Sequence, residues 1–337
     1  MGIQSIIPKI KTQDTVVFSV SLFSSEDRLI LAPMQNLTSA FFRKTFNDFF
    51  PSNIDSAVSP FISTSSSSQN INSSVYRDIL KEENNNYIEL VPQILGHCPT
   101  AVAQCAAIIE RLGYREVNIN MGCPKKDIVN HDRGAGLLRR ADLVKQIIEN
   151  ILTTTNLQIS LKVRLGINNS TELQNLVPVI NSYPLKSVTV HSRTQVQQYQ
   201  GRPNLDEFER FALQIKPTVV YNGDIFSAED FTKLKMRFPF IKHWMIGRGI
   251  LQNPFLCADI RNIPYNKQQT LLPYLTALQD NFAQSLMHPS ETAVLNKMKE
   301  MVKYLSVGFR FETEELLHTE QLADFNFKLK QQIENMF

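Results

Sequence analysis

The chain has few of the features that define several common protein classes. Its four cysteines form no C-x-x-C pair and have no histidine at metal-ligand spacing, which argues against a zinc module and a disulfide scaffold, and we assign no metal site. A formal net charge of +3 is too small to indicate a polyanionic partner by itself. No apolar run reaches the length of a membrane span. The sequence is therefore typical of a cytoplasmic globular protein, and its 337 residues suffice for a large core with a smaller satellite domain.

Residues 1–27 are predicted to be an N-terminal extension. Their apolar stretch, 16–23, is about half as long as a membrane span, and no small-residue cleavage pattern follows it. We therefore expect an extension or an added strand rather than a targeting segment.

Short apolar runs rich in β-branched residues recur along residues 28–247, with helical patterns between most of them. Eight such runs are predicted as strands: 29–33, 54–59, 88–95, 116–120, 158–163, 187–191, 218–222 and 243–247. Helices are predicted at 101–112, 141–152, 171–181 and 228–238. Eight strand-helix units favour an α/β fold, the (β/α)₈ TIM barrel, and a doubly wound open sheet is the alternative that remains open.

The strand pattern stops after residue 264. Residues 265–337 show helical periodicity, with breaks near 288–289 and 308, and carry seven basic and nine acidic side chains. The positive charge therefore lies on the preceding part of the chain. We predict a catalytic barrel domain at 28–264 and a separate helical domain at 265–337, whose plainest role is packing or dimerisation.

Glycine is scarce, so its positions are informative. Nine of the twelve glycines lie at or after the carboxyl ends of the predicted strands, the face on which barrel enzymes build their sites. Because glycine lets the backbone turn sharply or approach a ligand closely, this distribution predicts a site on that face.

A cysteine stands in a Gly-Cys-Pro turn directly after the fourth predicted strand. Cys123 lies on a loop, Asn120 is placed to orient a ligand beside it, and Lys125 and Arg133 are near enough in sequence to influence the thiol. A thiol in this position can act as acid, base or nucleophile. The alternative is an ordinary cysteine that fills a small space.

Loops after strands seven and eight of a barrel commonly bind phosphate through backbone N–H groups. Here both loops contain glycines that open the backbone, and one carries an arginine: they read Asn222-Gly223-Asp224 and Gly247-Arg248-Gly249. The pattern predicts an anion site, and tight turns that cap helices are the alternative.

Strands five and six end in cationic or titratable side chains. Lys162 and Arg164 are two residues apart, so both point to the same side of strand five. Inside a barrel such a pair must meet an anion or a carbonyl-rich ligand, although surface solvation is the alternative. Strand six ends at His191 in the run His191-Ser192-Arg193-Thr194.

These residues together resemble the FMN-dependent tRNA-dihydrouridine synthase family, over about residues 28–337. The motifs that carry the resemblance are Leu31-Ala32-Pro33-Met34, Gln93, 120–124, Lys162-Val163-Arg164, His191-Ser192-Arg193-Thr194, Asn222-Gly223-Asp224 and Gly247-Arg248-Gly249. Single motifs occur in other flavin barrels, whereas the Gly-Cys-Pro loop combined with the rest does not. Ser192 departs from the Ala or Gly that family members commonly carry, a change that should be tolerated.

The resemblance implies an enzyme that reduces the C5–C6 double bond of chosen uridines in tRNA, with FMN as cofactor and NADPH as reductant. Cys123 becomes the general acid that protonates C5 while hydride passes from the flavin to C6. Asn120, Arg164 and Arg193 would contact the uracil. The flavin would be held by Pro33, Met34, Gln93, Lys162, His191, Asn222, Gly223, Asp224, Gly247 and Arg248.

The resemblance also implies that tRNA is the partner and that the helical domain helps to bind it, with no membrane and no protein partner implied. Basic side chains are candidates for phosphate contacts. Those on the helical domain and the barrel rim are Lys297, Lys299, Lys303, Arg310, Arg139, Arg140 and Arg202.

Two other functions remain open from the sequence. A flavin barrel that reduces a free pyrimidine or another small enone would share the FMN site but need no RNA-binding domain. A non-catalytic RNA-binding protein would keep FMN only as a structural element, and the presence of Cys123, Lys162 and His191 argues against it.

Overall fold

A computed structural model describes residues 22–64, 74–81, 84, 88–285 and 289–337. Most of the predicted N-terminal extension, including nearly all of its apolar stretch, lies outside the described residues. Residue 288, where a helix break is predicted, also lies outside them.

Eight parallel strands close into a barrel in sequence order, and the last strand pairs with the first. Their bounds are Arg28–Leu31 (β1), Ser56–Ser63 (β2), Glu89–Leu95 (β3), Glu116–Met121 (β4), Gln158–Gly166 (β5), Ser187–Thr194 (β6), Thr218–Asn222 (β7) and His243–Ile246 (β8). The predicted TIM barrel is confirmed. The doubly wound open sheet is wrong for this chain, because β1 and β8 are hydrogen-bonded neighbours over four residue pairs.

Side chains along each strand alternate between the main core outside the barrel and the barrel interior. In β1, Leu29 and Leu31 pack outwards into the main core beneath the helices, whereas Ile30 packs against a smaller cluster inside the barrel. That inner cluster consists of Ala32, Val58, Val91, Val220 and Met245. Because barrel strands are buried on both faces, they read as nearly continuous apolar runs, which is why the sequence pattern locates them.

Strands β5 and β6 continue further than their apolar patterns predict. The added residues include Arg164 and Arg193, each only 1% exposed. Polar side chains end an apolar run in the sequence, but here they are buried at the barrel mouth, so the strands extend through them.

Helices pack around the outside of the barrel, and most follow a strand. Their bounds are Ala40–Phe49 (α1), Pro99–Arg111 (α2), Lys126–Asn130 (α3), Ala141–Thr154 (α4), Val177–Ser182 (α5), Leu205–Ala212 (α6), Ala228–Arg237 (α7), Arg248–Gln252 (α8) and Leu256–Arg261 (α9).

The helix predicted at 171–181 is not one continuous element. A 3₁₀ turn, Glu172–Leu176, comes first, and α5 follows it with Pro178 in its first turn. Proline has no backbone N–H, and the first turn of a helix needs none because its N–H groups have no partner within the helix. In the interior of one long helix, Pro178 would remove a hydrogen bond and clash with the preceding turn.

Four further helices follow the barrel: Lys267–Ser285 (α10), Glu291–Gly308 (α11), Thr313–Leu317 (α12) and Leu322–Met336 (α13). Helix α10 packs on α1 and α11 packs on α8, and at this junction the Phe50 ring lies 5.3 Å from the ring centroids of Phe255, Tyr265 and Tyr274. The predicted C-terminal helices are thereby confirmed. Because one apolar core runs through both parts, the division into separate domains remains a prediction.

Helix α11 ends at Gly308, where a helix break is predicted. A Cβ atom at Gly308 would lie 2.2 Å from the carbonyl oxygen of Gln252, so glycine allows the end of α11 to approach the barrel closely. Within the described ranges, no helix is both long and apolar enough to span a membrane. The same residues contain no group of three or more His, Cys, Asp or Glu side chains arranged to bind a metal.

Candidate active site

A cavity of about 530 Å³ opens at the carboxyl ends of the strands. This volume lies within the range of small-molecule sites. Residues far apart in the sequence meet here because parallel barrel strands bring their carboxyl ends to one rim. Eleven of the fourteen residues predicted for the site line the cavity: Pro33, Met34, Asn120, Cys123, Lys162, Arg164, His191, Asn222, Gly223, Gly247 and Arg248.

The other three predicted residues lie directly behind this lining. Gln93 is fully buried, and its Oε1 accepts a hydrogen bond of 2.7 Å from Nδ2 of Asn120. Arg193 binds Asp224 through both Nη atoms, at 2.9 and 2.5 Å. Asp224 also accepts a bond of 2.7 Å from Nη2 of Arg248. The structure therefore brings all fourteen predicted residues together.

The turn that carries Cys123 is held by hydrogen bonds to its backbone. Oδ1 of Asn120 accepts the N–H groups of Gly122 and Cys123 at 3.1 and 2.9 Å, and the Cys123 carbonyl accepts the N–H of Ala135 at 3.1 Å. The Cys123 thiol is free and half-buried, and it lines the cavity. A fixed backbone thus presents the thiol to the cavity.

The segment packed against this turn requires glycine at Gly134. The φ of Gly134 is +56°, and a Cβ atom there would lie 2.9 Å from both the Cβ and the carbonyl oxygen of Cys123. Any other residue would have to adopt the left-handed conformation and also displace the cysteine turn.

Lys162 projects from β5 into the cavity, and its Nζ donates to Oδ1 of Asn222 at 2.9 Å. Nδ2 of Asn222 donates to the carbonyl of Met245 at 2.9 Å, which orients the amide so that its oxygen faces the lysine. Burial first, and then the nearby Arg164 charge, lower the pKa of Lys162 to about 7. The lysine therefore changes its charge near neutral pH.

Arg164 and Arg193 hold the loop that follows β6 on both sides of Tyr199. Nη1 of Arg164 donates to the carbonyl of Gln198 at 2.7 Å, and Nε of Arg193 donates to the carbonyl of Gln200 at 3.2 Å. Both predicted substrate-contact arginines therefore also shape the rim of the cavity.

Buried positive charge exceeds buried negative charge around the cavity. Burial lowers the pKa of Arg164 to about 10, and burial together with the surrounding cations holds the pKa of His191 well below its usual range. Among the described residues, two carboxylates lie at this cavity, and both are already paired: Asp224 is bonded to two arginines, and Glu300 on the rim is paired with Lys297. The cavity is therefore suited to an anionic ligand.

Three residues that line the cavity carry no signal in the local sequence. The Tyr199 ring is half-exposed, with its centroid 5.5 Å from the Arg164 guanidinium carbon and 5.0 Å from that of Arg248. Glu300 and Tyr304 reach the cavity from α11. Tyr199 belongs to an irregular loop, and the other two depend on how the C-terminal helices dock, so periodicity does not reveal them.

The basic residues predicted to contact RNA fall into two groups. Four are exposed and form no ion pair within the described chain: Arg139, Arg202, Lys303 and Arg310. The others are engaged by the protein. Lys297 contacts the carbonyl of Asn36, Lys299 contacts that of Thr319, and Arg140 forms an ion pair.

A closed barrel of eight parallel strands, with a polar cavity at their carboxyl ends, defines a TIM-barrel enzyme. Solved structures share this fold. The old yellow enzyme homologue from Zymomonas mobilis aligns with a TM-score of 0.51 at 12% identity, over 74% of this chain and 92% of that one. A 2-naphthoyl-CoA reductase aligns with a TM-score of 0.53 at 10% identity, over 70% of this chain and 50% of that one.

The dihydrouridine synthase family model matches residues 30–336, and the chain belongs to this family. Curated relatives include tRNA-dihydrouridine synthase B of Pasteurella multocida (strain Pm70), 29% identical over 257 residues, or 76% of this chain and 75% of the relative. The tRNA-dihydrouridine(16) synthase of Cupriavidus necator is 27% identical over 243 residues, or 70% of this chain and 74% of the relative. The resemblance inferred from the sequence is confirmed, together with its general class, a flavin-dependent oxidoreductase of tRNA modification.

Proposed function

We propose that this protein reduces the C5–C6 double bond of uridines in tRNA to dihydrouridine, with FMN as cofactor and NADPH as reductant. The observation that carries the proposal is the half-buried thiol of Cys123 in the wall of a cavity shared with Lys162 and Arg164. Relatives named tRNA-dihydrouridine synthases support the choice of substrate.

The described residues fit FMN on two counts. The cavity has an excess of buried positive charge, which suits a phosphate, and its wall near β1 is apolar, which suits a flat ring. Arg248, with the backbone of Gly223 and Gly247, would hold the phosphate end, supported by Asp224. The ring would be surrounded by Pro33, Met34, Lys162 and His191, with Gln93 directly behind this lining, and Asn222 would contact the ribityl chain.

When bound, the flavin would supply the hydride that reaches C6 of the uracil, chemistry that no side chain provides. Cys123 would hold the proton that is delivered to C5 from its Sγ. Hydride and proton together add two hydrogens across the double bond.

The uracil would be held by groups that retain unused hydrogen-bonding capacity. Nη2 of Arg164 makes no hydrogen bond with the described residues, and Asn120 has a second Nδ2 hydrogen beyond the one given to Gln93. All three nitrogens of Arg193 donate to the protein, so we assign it the support of Asp224 and the loop rather than direct contact.

A uridine stacked in folded RNA has to leave its stack to enter this cavity, so we infer that the enzyme binds a flipped nucleotide. The exposed cations Arg139, Arg202, Lys303 and Arg310 are available to phosphates, which would make binding weaker as salt increases. The helical part contributes Tyr304 and Glu300 to the cavity rim and would thus contact the RNA near the reacting base.

The test is mass-spectrometric mapping of dihydrouridine after incubating the flavin-loaded protein, NADPH and unmodified tRNA. We expect a gain of two daltons at defined uridines, and a rate at least about 100-fold lower for Cys123→Ala. Cys98→Ala is the matched control, because Cys98 is exposed at the start of α2 and does not line the cavity. An unmodified tRNA, with free uracil reduced instead, would contradict the proposal, as would full activity in Cys123→Ala.

A further inference from the structure

A row of polar side chains crosses the inside of the barrel from β5 to the cysteine turn. Nδ2 of Asn120 donates to Oε1 of Gln93 at 2.7 Å, and Nε2 of Gln93 donates to Oδ1 of Asn118 at 2.8 Å. Nδ2 of Asn118 then donates to Oγ of Ser160 at 2.9 Å. At the other end, Oδ1 of Asn120 binds the N–H groups of Gly122 and Cys123. We call these four side chains, Asn120, Gln93, Asn118 and Ser160, the amide row.

The direction of every bond in the amide row is set at its upper end. The backbone N–H groups of Gly122 and Cys123 can only donate, so the Asn120 atom that faces them must be the oxygen. Its Nδ2 must then donate to Gln93, and the same logic passes on to Asn118 and Ser160. The lower end has a different effect: loss of the Asn118 acceptor would leave the buried Nε2 of Gln93 unpaired, and a shift of Gln93 would reach the cysteine turn through Asn120.

The lower half of the amide row does not touch the active-site cavity. Asn118 and Ser160 are 1% and 2% exposed, and both line a different cavity, of about 510 Å³, at the amino ends of the strands. They therefore cannot contact a ligand bound at the carboxyl ends. The hydrogen-bonded route from these two residues to the cysteine turn passes through Gln93 and Asn120.

We propose that Asn118 and Ser160 are positioning residues for Cys123, and this role rests on the proposed function of that thiol. They keep the Gln93 and Asn120 amides in one orientation, and Asn120 keeps the Gly122–Cys123 backbone in one orientation. Sγ is thereby held where a proton donor is needed. Small displacements of a reacting group lower rates by up to about 100-fold, so a remote contact of this kind has a measurable effect.

The amide row is broken by Asn118→Leu, which keeps the approximate size and removes both polar atoms, and more mildly by Ser160→Ala. Asn118→Asp should rescue, because a carboxylate oxygen still accepts from Gln93 while the other accepts from the Ser160 hydroxyl. Thr189→Val is the matched control. Thr189 is 3% exposed, lines the same lower cavity, and makes no side-chain hydrogen bond with the described residues.

Two measurements on the full-length protein separate positioning from general damage. The first is the alkylation rate of Cys123 by iodoacetamide at one pH, read by peptide mass spectrometry without tRNA, with exposed Cys98 as the internal reference. The second is the single-turnover rate of dihydrouridine formation at saturating tRNA, with tRNA affinity measured separately. Thermal unfolding shows whether each variant is folded.

For Asn118→Leu we expect a change of at least about threefold in Cys123 alkylation relative to Cys98, and a single-turnover rate lowered by about tenfold with unchanged tRNA affinity. Ser160→Ala should change the alkylation rate and the single-turnover rate in the same directions by smaller factors. It is the variant used for the test if Asn118→Leu does not fold. Asn118→Asp and Thr189→Val should remain within about twofold of the wild type.

Wild-type alkylation of Cys123 in folded Asn118→Leu and Ser160→Ala would overturn the positioning role, even if the wild type makes dihydrouridine. An equal effect of Thr189→Val would also overturn it, because the effect would then reflect any change in the barrel interior. Altered alkylation in a protein that forms no dihydrouridine would support the positioning of the thiol and reject the proposed function.

Discussion

The two ends of the barrel contain cavities of nearly equal volume, about 530 Å³ at the carboxyl ends and about 510 Å³ at the amino ends. Their charges differ. At the amino ends three carboxylates, Asp55, Glu89 and Glu116, line the cavity, and ion pairs join Glu116 to Lys186 and Asp55 to Arg261. At the carboxyl ends Asp224 is shared by two arginines, and Lys162 donates to an amide oxygen and forms no ion pair with the described residues. An excess of cationic side chains, rather than volume, distinguishes the candidate active site from the other end.

The largest expected difference between the two ends concerns their carboxylates. Asp224→Asn removes the negative charge beside buried Arg193, which should lower the free energy of unfolding by about 3 kcal/mol. Glu116→Gln at the amino end should cost less than about 1 kcal/mol, because its partner Lys186 is 43% exposed and is solvated by water.

Urea denaturation of the flavin-free proteins measures both free energies. Equal midpoints for Asp224→Asn and Glu116→Gln would contradict the proposed difference in charge balance. A loss of flavin affinity in Asp224→Asn alone would support the assignment of Asp224 to the cofactor site, since Arg248 would lose its partner.

A smaller difference is expected for two glycines with positive φ. Gly134 at the carboxyl end and Gly113 at the amino end both adopt left-handed conformations, with φ of +56° and +84°. Substitution by alanine should cost about 1 kcal/mol at Gly113, where a new Cβ would lie 3.9 Å from Cε of Lys81, an ordinary van der Waals distance. At Gly134 the Cβ also clashes with Cys123, so we expect about 2 to 3 kcal/mol.

Thermal and urea unfolding of Gly134→Ala and Gly113→Ala measure this difference. Because only Gly134 touches the cysteine turn, Gly134→Ala should also slow dihydrouridine formation, while Gly113→Ala should not. Equal stability losses would show that the conformational strain alone, and not the contact with Cys123, determines the cost.

For Lys162 we expect a change in flavin affinity of up to tenfold per pH unit. Its pKa in the protein without ligand is about 7, and a bound anion would raise that pKa, so binding should take up a proton above about pH 7. Flavin affinity should therefore be highest below pH 7 and fall as the pH rises from 7 towards 9. His191 stays neutral over this range because its pKa lies well below its usual value.

Fluorescence titration of FMN between pH 6 and 9 measures this dependence, in a Cys123→Ala background that leaves no cysteine side chain among the described residues of the cavity. Lys162→Met should bind more weakly at pH 6 and show a flat profile. Lys186→Met, which removes the amino-end lysine, should keep the wild-type profile. The same slope in Lys162→Met would assign the titration to another group.

Much of the barrel can be predicted from the sequence because its signals are local. A strand buried on both faces appears in the sequence as one apolar run. The run at 218–222 therefore predicts β7 with its observed bounds, Thr218–Asn222. The predicted strand ends are too early where polar residues are buried, as at Arg164 in β5 and Arg193 in β6. The apolar spacing at 171–181 predicts one continuous helix. The sequence does not show where the helix begins, so it does not show that Pro178 lies in a first turn.

The candidate site could be predicted only in part, because some of its residues carry a local signal in the sequence and others do not. Residues that stand directly at strand ends, such as Cys123, Lys162 and His191, are placed by the fold class alone. Tyr199 and Glu300 are not, because one lies in an irregular loop held by two arginines and the other on a helix that docks from the end of the chain.

Backbone periodicity and local steric limits make several features readable from the amino acids alone: the strand-helix alternation, the glycines at the carboxyl ends, the Gly-Cys-Pro turn and the shared face of Lys162 and Arg164. The folded structure was needed to establish the pairing of β1 with β8, the amide row beneath Cys123 and the approach of α11 to the cavity. These features join side chains distant in the chain, and they exist only after barrel closure has removed water and set the distances between them.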